Sequence, residues 1–400
     1  MIATFKPCTL AGTTAAPPSK SMAHRYLIGA ALSGQPCILT GVEYSEDILA
    51  TIDCLKALGA AVSAEGDTVT VESAHFMQVQ APVLPCRESG STLRFFIPLA
   101  LCIGGAVTLR GSERLLERPL DVYEELCREK GFFFEKGKDA VTLCGKLTGG
   151  AYRVRGDVSS QFITGLLMAL VWLGGSSSLE IAPPFASRPY ADMTVAALRA
   201  FGADVAFVGE HRLEVKPAKL HGFSGAVEGD WSNAAFLDAF NAVGSSVSVG
   251  NLKSDSLQGD RVYPDYFARI AAGTPTLDIA DCPDLGPVLI ALAALKNGAV
   301  FTGTARLAAK ESDRGVAMHE ELQKLGGGLL FGENTITVPP QRLRYAGVPL
   351  DGHNDHRIVM ALSVILSQTG GTVTGAEAVR KSYPRFFDDI KRLGAEVEVI

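Results

Sequence analysis

"LKALGAAV" (55–62), "LRAFGADV" (198–205) and "IKRLGAEV" (390–397) share one plan: the end of an amphipathic helix, a glycine where the helix stops, and a short β-prone run. "CREKGFFF" (127–134) and "LQKLGGGL" (322–329) repeat it, and "ARIAAGTPTL" (268–277) is a weaker copy. The six glycines fall at 59, 131, 202, 273, 326 and 394, in steps of 72, 71, 71, 53 and 68. A period near 70 is too long for a solenoid repeat, so each unit is expected to be a small α/β module. Strand-like stretches such as "DTVTVES" (67–73) and "HRLEVKP" (211–217) follow the glycine, and "GGAVTLRG" (104–111) or "GGSSSLEIA" (174–182) follows another helix. Six such modules divide naturally into two domains of three.

The composition agrees with a well-cored soluble protein: 400 residues, 47% hydrophobic and 20% charged, with a net charge of −6. No broad basic excess points to a nucleic-acid partner. No apolar run reaches the roughly 20 residues of a membrane span; "FITGLLMALVWLGG" (162–175) is too short and ends in glycines. The opening residues lack a basic stretch followed by an apolar one, so no secretory signal is expected. Eight cysteines without C-x-x-C spacing read as reduced thiols of a cytoplasmic protein.

Against this acidic background, cations gather at helix starts. "PPSKSMAHR" (17–25) places Lys20, Ser21, His24 and Arg25 in the first turn and a half of a helix, where the N-terminal partial charge repels cations and favours an anion. A solvated turn would look the same. "CRESGSTLRFF" (86–96) sets Ser89, Gly90 and Ser91 before an apolar helix with Arg94 one turn in, which also suits an ordinary cap and a snorkelling arginine. "GDVSSQFITGLLMAL" (156–170) opens a long apolar helix with Ser159, Ser160 and Gln161, more hydrogen-bonding side chains than one cap needs. In "AKESDRG" (309–315), Lys310 and Arg314 would share a helical face, where like charges cost a few tenths of a kcal/mol unless an anion joins them. Glu311 and Asp313 could instead neutralise them locally. "GHNDHRIVMAL" (352–362) begins an apolar helix with His356 and Arg357, and no Cys or HExxH pattern turns His353 and His356 into a metal site. "LERPL" (116–120) offers Arg118, and "VRKSYPRFFDDI" (379–390) offers Lys381 before a helix. "IADCPDLGPVLIALAAL" (279–295) puts Asp284 at the mouth of an apolar helix, as an N-cap or as a well-held general base. If these helix starts converge, they form a pocket for a polyanion bearing phosphates and carboxylates. Neither a P-loop nor a strand–GxGxxG–helix is present, so neither a nucleoside triphosphate nor a dinucleotide is indicated.

In this order, "PPSKSMAHR", "ESGSTLRF", "LERPL", "GDVSSQF", "SRPYADMT" (187–194), "GDWSNAAF" (229–236), "AKESDR", "HNDHR" and "KSYPRFF" resemble the 3-phosphoshikimate 1-carboxyvinyltransferase (5-enolpyruvylshikimate-3-phosphate synthase) family, from residue 17 to 387. The resemblance implies two α/β domains, each of three βαβαββ units around a pseudo-threefold axis. It implies a discontinuous domain, 1–14 with 229–400, carrying the phosphoenolpyruvate side and the catalytic acids. An inserted domain, 15–228, would carry the shikimate 3-phosphate side, with the active site in the cleft between them. The implied reaction moves the enolpyruvyl group of phosphoenolpyruvate to the 5-hydroxyl of shikimate 3-phosphate, with no metal and no organic cofactor, in a cytoplasmic monomer. By resemblance, Lys20, Ser21, Arg25, Ser159, Ser160, Gln161, Ser187, Asp284 and Lys310 meet shikimate 3-phosphate. Lys20, Gly90, Arg118, Gln161, Arg314, Arg357 and Lys381 match the phosphoenolpyruvate site. Asp284 matches the proton acceptor, with Lys310 beside it, and Glu311 the group that protonates the methylene carbon. Glu88, Ser91 and Arg306 depart from the residues many or some members carry there (Asn, Thr and Asn). The sister enzyme acting on UDP-N-acetylglucosamine opens with a Lys-Asn pair and uses a loop cysteine, whereas here Ser21 follows Lys20 and 104–120 contains no cysteine. A non-catalytic homologue would have lost acids or cations that this chain retains.

Overall fold

A computed structural model describes all 400 residues. The chain divides into two compact units, Met1–Pro17 with Gly229–Ile400, and Pro18–Glu228. Each has its own hydrophobic core. The division falls just after the strand Ala11–Ala15, which pairs in parallel with Ser246–Gly250 and so ties the first residues to the segment that resumes at Gly229. No helix is long and apolar enough to cross a membrane.

The repeated unit is clearest over residues 83–144. The strand Val83–Arg87 leads into the helix Gly90–Leu101, then a parallel strand, Ala106–Gly111. A second helix, Asp121–Lys130, ends on Gly131 in the left-handed conformation (φ 69°), which only glycine adopts without cost. An antiparallel hairpin, Phe133–Lys136 and Ala140–Cys144, completes a four-stranded sheet. Parallel neighbours require a crossover, and the helix supplies it. Five such sheets occur, together with one two-stranded sheet, Ala11–Ala15 with Ser246–Gly250. The short sheet explains the irregular step of 53. After Gly273 the chain runs directly into Thr276–Asp278, the first strand of the next module, and the hairpin is missing.

The two helices of a module differ in kind. The second is amphipathic; the first is apolar nearly all round and lies in the core. Nine of ten residues are buried in Gly286–Leu295, eleven of twelve in Gly90–Leu101 and twelve of fourteen in His356–Thr369. Helices enclosed in this way carry polar residues mainly at their starts, so the modular fold itself sets charged side chains at helix N-termini. Packing is close where these helices meet. A Cβ on Gly165 would collide with the Arg94 carbonyl and the Tyr123 hydroxyl. That hydroxyl donates to the Arg94 and Phe162 carbonyls at 2.8 and 3.0 Å.

Candidate active site

In the unit Pro18–Glu228, Ser19 caps the helix Lys20–Leu32 by accepting from the Met22 N–H. The anion that the "PPSKSMAHR" stretch calls for is supplied in part by the chain itself: Lys20 Nζ donates to Asp47 Oδ2 at 2.6 Å. Arg25 is buried and partnered only by neutral groups. It donates to the Ser21 and Tyr190 carbonyls at 2.6 and 2.9 Å and to the hydroxyls of Thr194 and Thr164 at 2.9 and 3.3 Å. Burial without a neighbouring carboxylate lowers its pKa to about 10.

Gln161 is fixed from both ends. Its carbonyl accepts from Arg94 at 2.7 Å and its amide donates to Ser91 at 2.8 Å. Ser159 caps the helix Ser160–Leu173, accepting from the Gln161 N–H. Ser187, fully buried, precedes Arg188–Ala200 with φ 56° and ψ 44°. A left-handed conformation at a non-glycine residue costs about 1–3 kcal/mol and persists only when its surroundings enforce it. Arg118, mostly buried, lies over Gly90 so closely that any Cβ there would overlap its guanidinium. The buried Arg118 Nε meets no acceptor in the protein. An unanswered guanidinium N–H beside the start of a helix suits an anionic ligand.

In the other unit, three cations converge on one carboxylate. Asp284 Oδ1 accepts from Lys310 Nζ at 3.0 Å and Arg314 Nη1 at 2.7 Å, and Oδ2 accepts from Arg357 Nη2 at 3.3 Å. Arg314, fully buried, also donates to Glu311 at 2.7 Å and to Asp355 at 2.8 Å. Arg357 donates to the Ser232 hydroxyl at 2.6 Å. Burial alone would raise the Asp284 pKa, but Arg357, Lys310 and Arg314 overcome it and hold the carboxyl well below the usual range. Burial lowers Lys310 to about 8; Asp284 opposes that shift, and the Arg314 and Arg306 charges add to it. Lys381 ends the 3₁₀ turn Ala376–Lys381 and donates to the Asn354 carbonyl at 2.7 Å.

One local expectation is corrected and one open alternative is removed. Lys310 and Arg314 do not share a helix face: Lys310 is extended (φ −94°, ψ −160°), and the helix starts at Arg314 after its Asp313 cap. Their repulsion is relieved by Asp284, a carboxylate from elsewhere in the chain. Asp284 is not a cap either. It sits in the 3₁₀ turn Pro283–Leu285, and the helix Gly286–Leu295 has no side-chain cap. Its oxygens are taken by the cations. His353 and His356 also part company, since His353 Nε2 lies 2.7 Å from Glu321 Oε1 while the His356 ring is buried. Sequence reading did not single out Asp47, Asp355 or Ser232. Asp355 had a local signal, as a polar residue immediately before an apolar helix; the pairing of Asp47 with Lys20 had none.

Each unit therefore carries a cluster of its own: an acid–cation cluster in Met1–Pro17 with Gly229–Ile400, and a hydroxyl–amide–guanidinium set in Pro18–Glu228. Residues 5–390 match the family model described as EPSP synthase (3-phosphoshikimate 1-carboxyvinyltransferase). The chain belongs to the EPSP synthase family. A 3-phosphoshikimate 1-carboxyvinyltransferase of Clostridium kluyveri is 37% identical across 98% of this chain and 97% of its own length. Its counterpart from Clostridium acetobutylicum is 34% identical over the same shares. An EPSP synthase structure from Acinetobacter baumannii has the same fold, with a TM-score of 0.78 at 24% identity and 99% coverage of both chains.

Proposed function

We propose that this chain transfers the enolpyruvyl group of phosphoenolpyruvate to the 5-hydroxyl of shikimate 3-phosphate, in the pathway to chorismate and the aromatic amino acids, with the residues below in the stated roles. Membership of the EPSP synthase family supports the reaction. The observation that carries the assignment of roles is the cluster in which Lys310, Arg314 and Arg357 share Asp284.

Shikimate 3-phosphate is held by Lys20, Ser21, Arg25, Ser159, Ser160, Gln161 and Ser187. The buried Arg25 charge, which no carboxylate compensates, faces the phosphate. Phosphoenolpyruvate is held by Gly90, Arg118, Gln161, Arg314, Arg357 and Lys381, with Lys20 touching both substrates. Asp284 takes the proton of the 5-hydroxyl as its oxygen bonds to C2 of phosphoenolpyruvate, and Glu311, which takes up a proton once Arg314 has turned to the substrate anion, delivers it to C3. The resulting tetrahedral adduct loses a C3 proton and expels phosphate, and the double bond re-forms.

A carboxylate held far below its usual pKa is a weak base. Substrate anions resolve this, because Arg314, Arg357 and Lys310 can turn their N–H groups to phosphate and carboxylate oxygens and leave Asp284 more basic. Binding of the anions thereby prepares the base. The cations then stabilise the departing phosphate. The eight cysteines are all free, in keeping with a cytoplasmic enzyme, and two self-contained cores suit action as a monomer.

The test is phosphate release from phosphoenolpyruvate with shikimate 3-phosphate in EDTA. Turnover that is lost in Asp284→Asn is the expected result. Release with UDP-N-acetylglucosamine, but not with shikimate 3-phosphate, would overturn the reading.

A further inference from the structure

Between the strand Leu350–Asp351 and the helix His356–Thr369, residues 352–355 form a turn that no catalytic step above uses. It is unusual in its backbone: His353 and Asn354 are both left-handed, at φ 49° and 50°. Consecutive non-glycine residues seldom adopt that region without outside support. Gly352 is confined as well, since a Cβ there would crowd Val359 and the Thr374 carbonyl.

The outside support comes from one buried carboxylate, Glu321 in the helix Arg314–Lys324. Its Oε1 pairs with His353 Nε2 at 2.7 Å, and its Oε2 accepts from the Asp351 N–H at 2.8 Å. Lys324 Nζ donates to both oxygens, at 2.9 and 2.8 Å. The His353 N–H in turn donates to Asp351 Oδ1 at 2.8 Å. On its other side the turn presents two groups to the cations. The Asn354 carbonyl accepts from Lys381 at 2.7 Å, and Asp355 takes Arg314 Nε at 2.8 Å and the Ser312 hydroxyl at 3.1 Å.

We propose that the Glu321–His353 pair is a positioning device for phosphoenolpyruvate: it holds residues 352–355 in the strained turn that places the Asn354 carbonyl for Lys381 and Asp355 for Arg314. The inference rests on the proposed roles of Lys381 and Arg314. One helix thus carries Arg314 at its start and, two turns on, the carboxylate that fixes the turn on which Arg314 docks. The groups facing His353 are Glu321 and Glu320 from that helix and Asp351 from the strand. The hydrogen bond to Glu321, with the charges of Glu321, Asp351 and Glu320, outweighs burial and raises the His353 pKa above its usual 6.5. The support is therefore complete below pH 6.5 and weakens as pH rises through the raised value.

Two variants of the full chain separate the pair from the backbone. His353→Asn keeps a residue that tolerates the left-handed turn but cannot reach Glu321. His353→Gln can donate to Glu321 but does not titrate. The expected result for His353→Asn is a five- to tenfold higher KM for phosphoenolpyruvate, with kcat within twofold, KM for shikimate 3-phosphate unchanged, and faster amide exchange at 352–355. His353→Gln restores most of the KM at pH 7 and flattens the rise in KM that the wild type shows above pH 6.5. An unchanged phosphoenolpyruvate KM in folded His353→Asn, or equal rises for both substrates, would overturn the inference, as would a lowered melting temperature with no KM change. A wild type that releases no phosphate would instead sink the functional reading, and this inference with it.

Discussion

Arg25 and Arg314 are both buried arginines in the same family of helix starts, yet their surroundings are opposite. Arg25 is ringed by carbonyls and threonine hydroxyls, and burial draws its pKa down to about 10. Arg314 is clamped by Asp355, Glu311 and Asp284, whose charges outweigh burial and push its pKa up. The first arrangement keeps a net positive charge ready for an anion. The second sets three cations (Lys310, Arg314, Arg357) against three carboxylates (Asp284, Glu311, Asp355) and takes an anion by exchanging partners. One unit is built to bind charge; the other is built to rearrange it.

The sharpest way to break this contrast is Asp284→Asn, which keeps shape but removes the base and a carboxylate shared by three cations. The expected loss in kcat is about 10²–10⁴-fold, measured by phosphate release, as for removal of a general base. Next is Arg25→Lys, which keeps the charge but loses the fork that meets four acceptors. It should raise KM for shikimate 3-phosphate about 10–100-fold, from one or two lost charge-assisted hydrogen bonds, and move the phosphoenolpyruvate KM little. A smaller effect concerns pH. Lys310 must hold its proton to help discharge the phosphate, so kcat/KM should fall on the alkaline side with a midpoint near 8, that of the free protein, and Lys310→Arg should shift that limb upward. The smallest is structural. Gly165→Ala should leave KM values alone but lower stability by about 1–3 kcal/mol in denaturant melts, because the new methyl group meets the Arg94 carbonyl and the Tyr123 hydroxyl.

The same contrast governs what the sequence made legible. The recurring helix–glycine–strand phrase revealed six modules because the glycine helix stop, left-handed in every copy except Gly273, and the following strand are local features. The apolar helices 160–173 and 286–295 were equally plain, since helices buried on all sides are apolar on all sides. The missing hairpin after Gly273 showed only as a short step. At the site, Lys20, Arg25, Arg314 and Arg357 stood out as cations at the starts of apolar helices. Their partners did not: Asp47 meets Lys20 from 27 residues away and Asp355 meets Arg314 from 41, distances set by the packing of separate elements. For Asp284 the sequence left cap and base both open, because a carboxylate before an apolar helix looks alike in both roles until its partners are seen.

The most direct test of partner exchange is a ¹³C NMR titration of the aspartate side chains, assigned through Asp284→Asn, in the free protein and with ligands bound. The ligands are phosphoenolpyruvate and a 5-deoxy analogue of shikimate 3-phosphate, which has no hydroxyl to react. The account predicts that Asp284 stays ionised well below its ordinary 3.8 in the free protein and titrates at a clearly higher pH in the complex. An Asp284 signal that titrates at the same pH in both states would show that the cations never leave it, and would contradict the account.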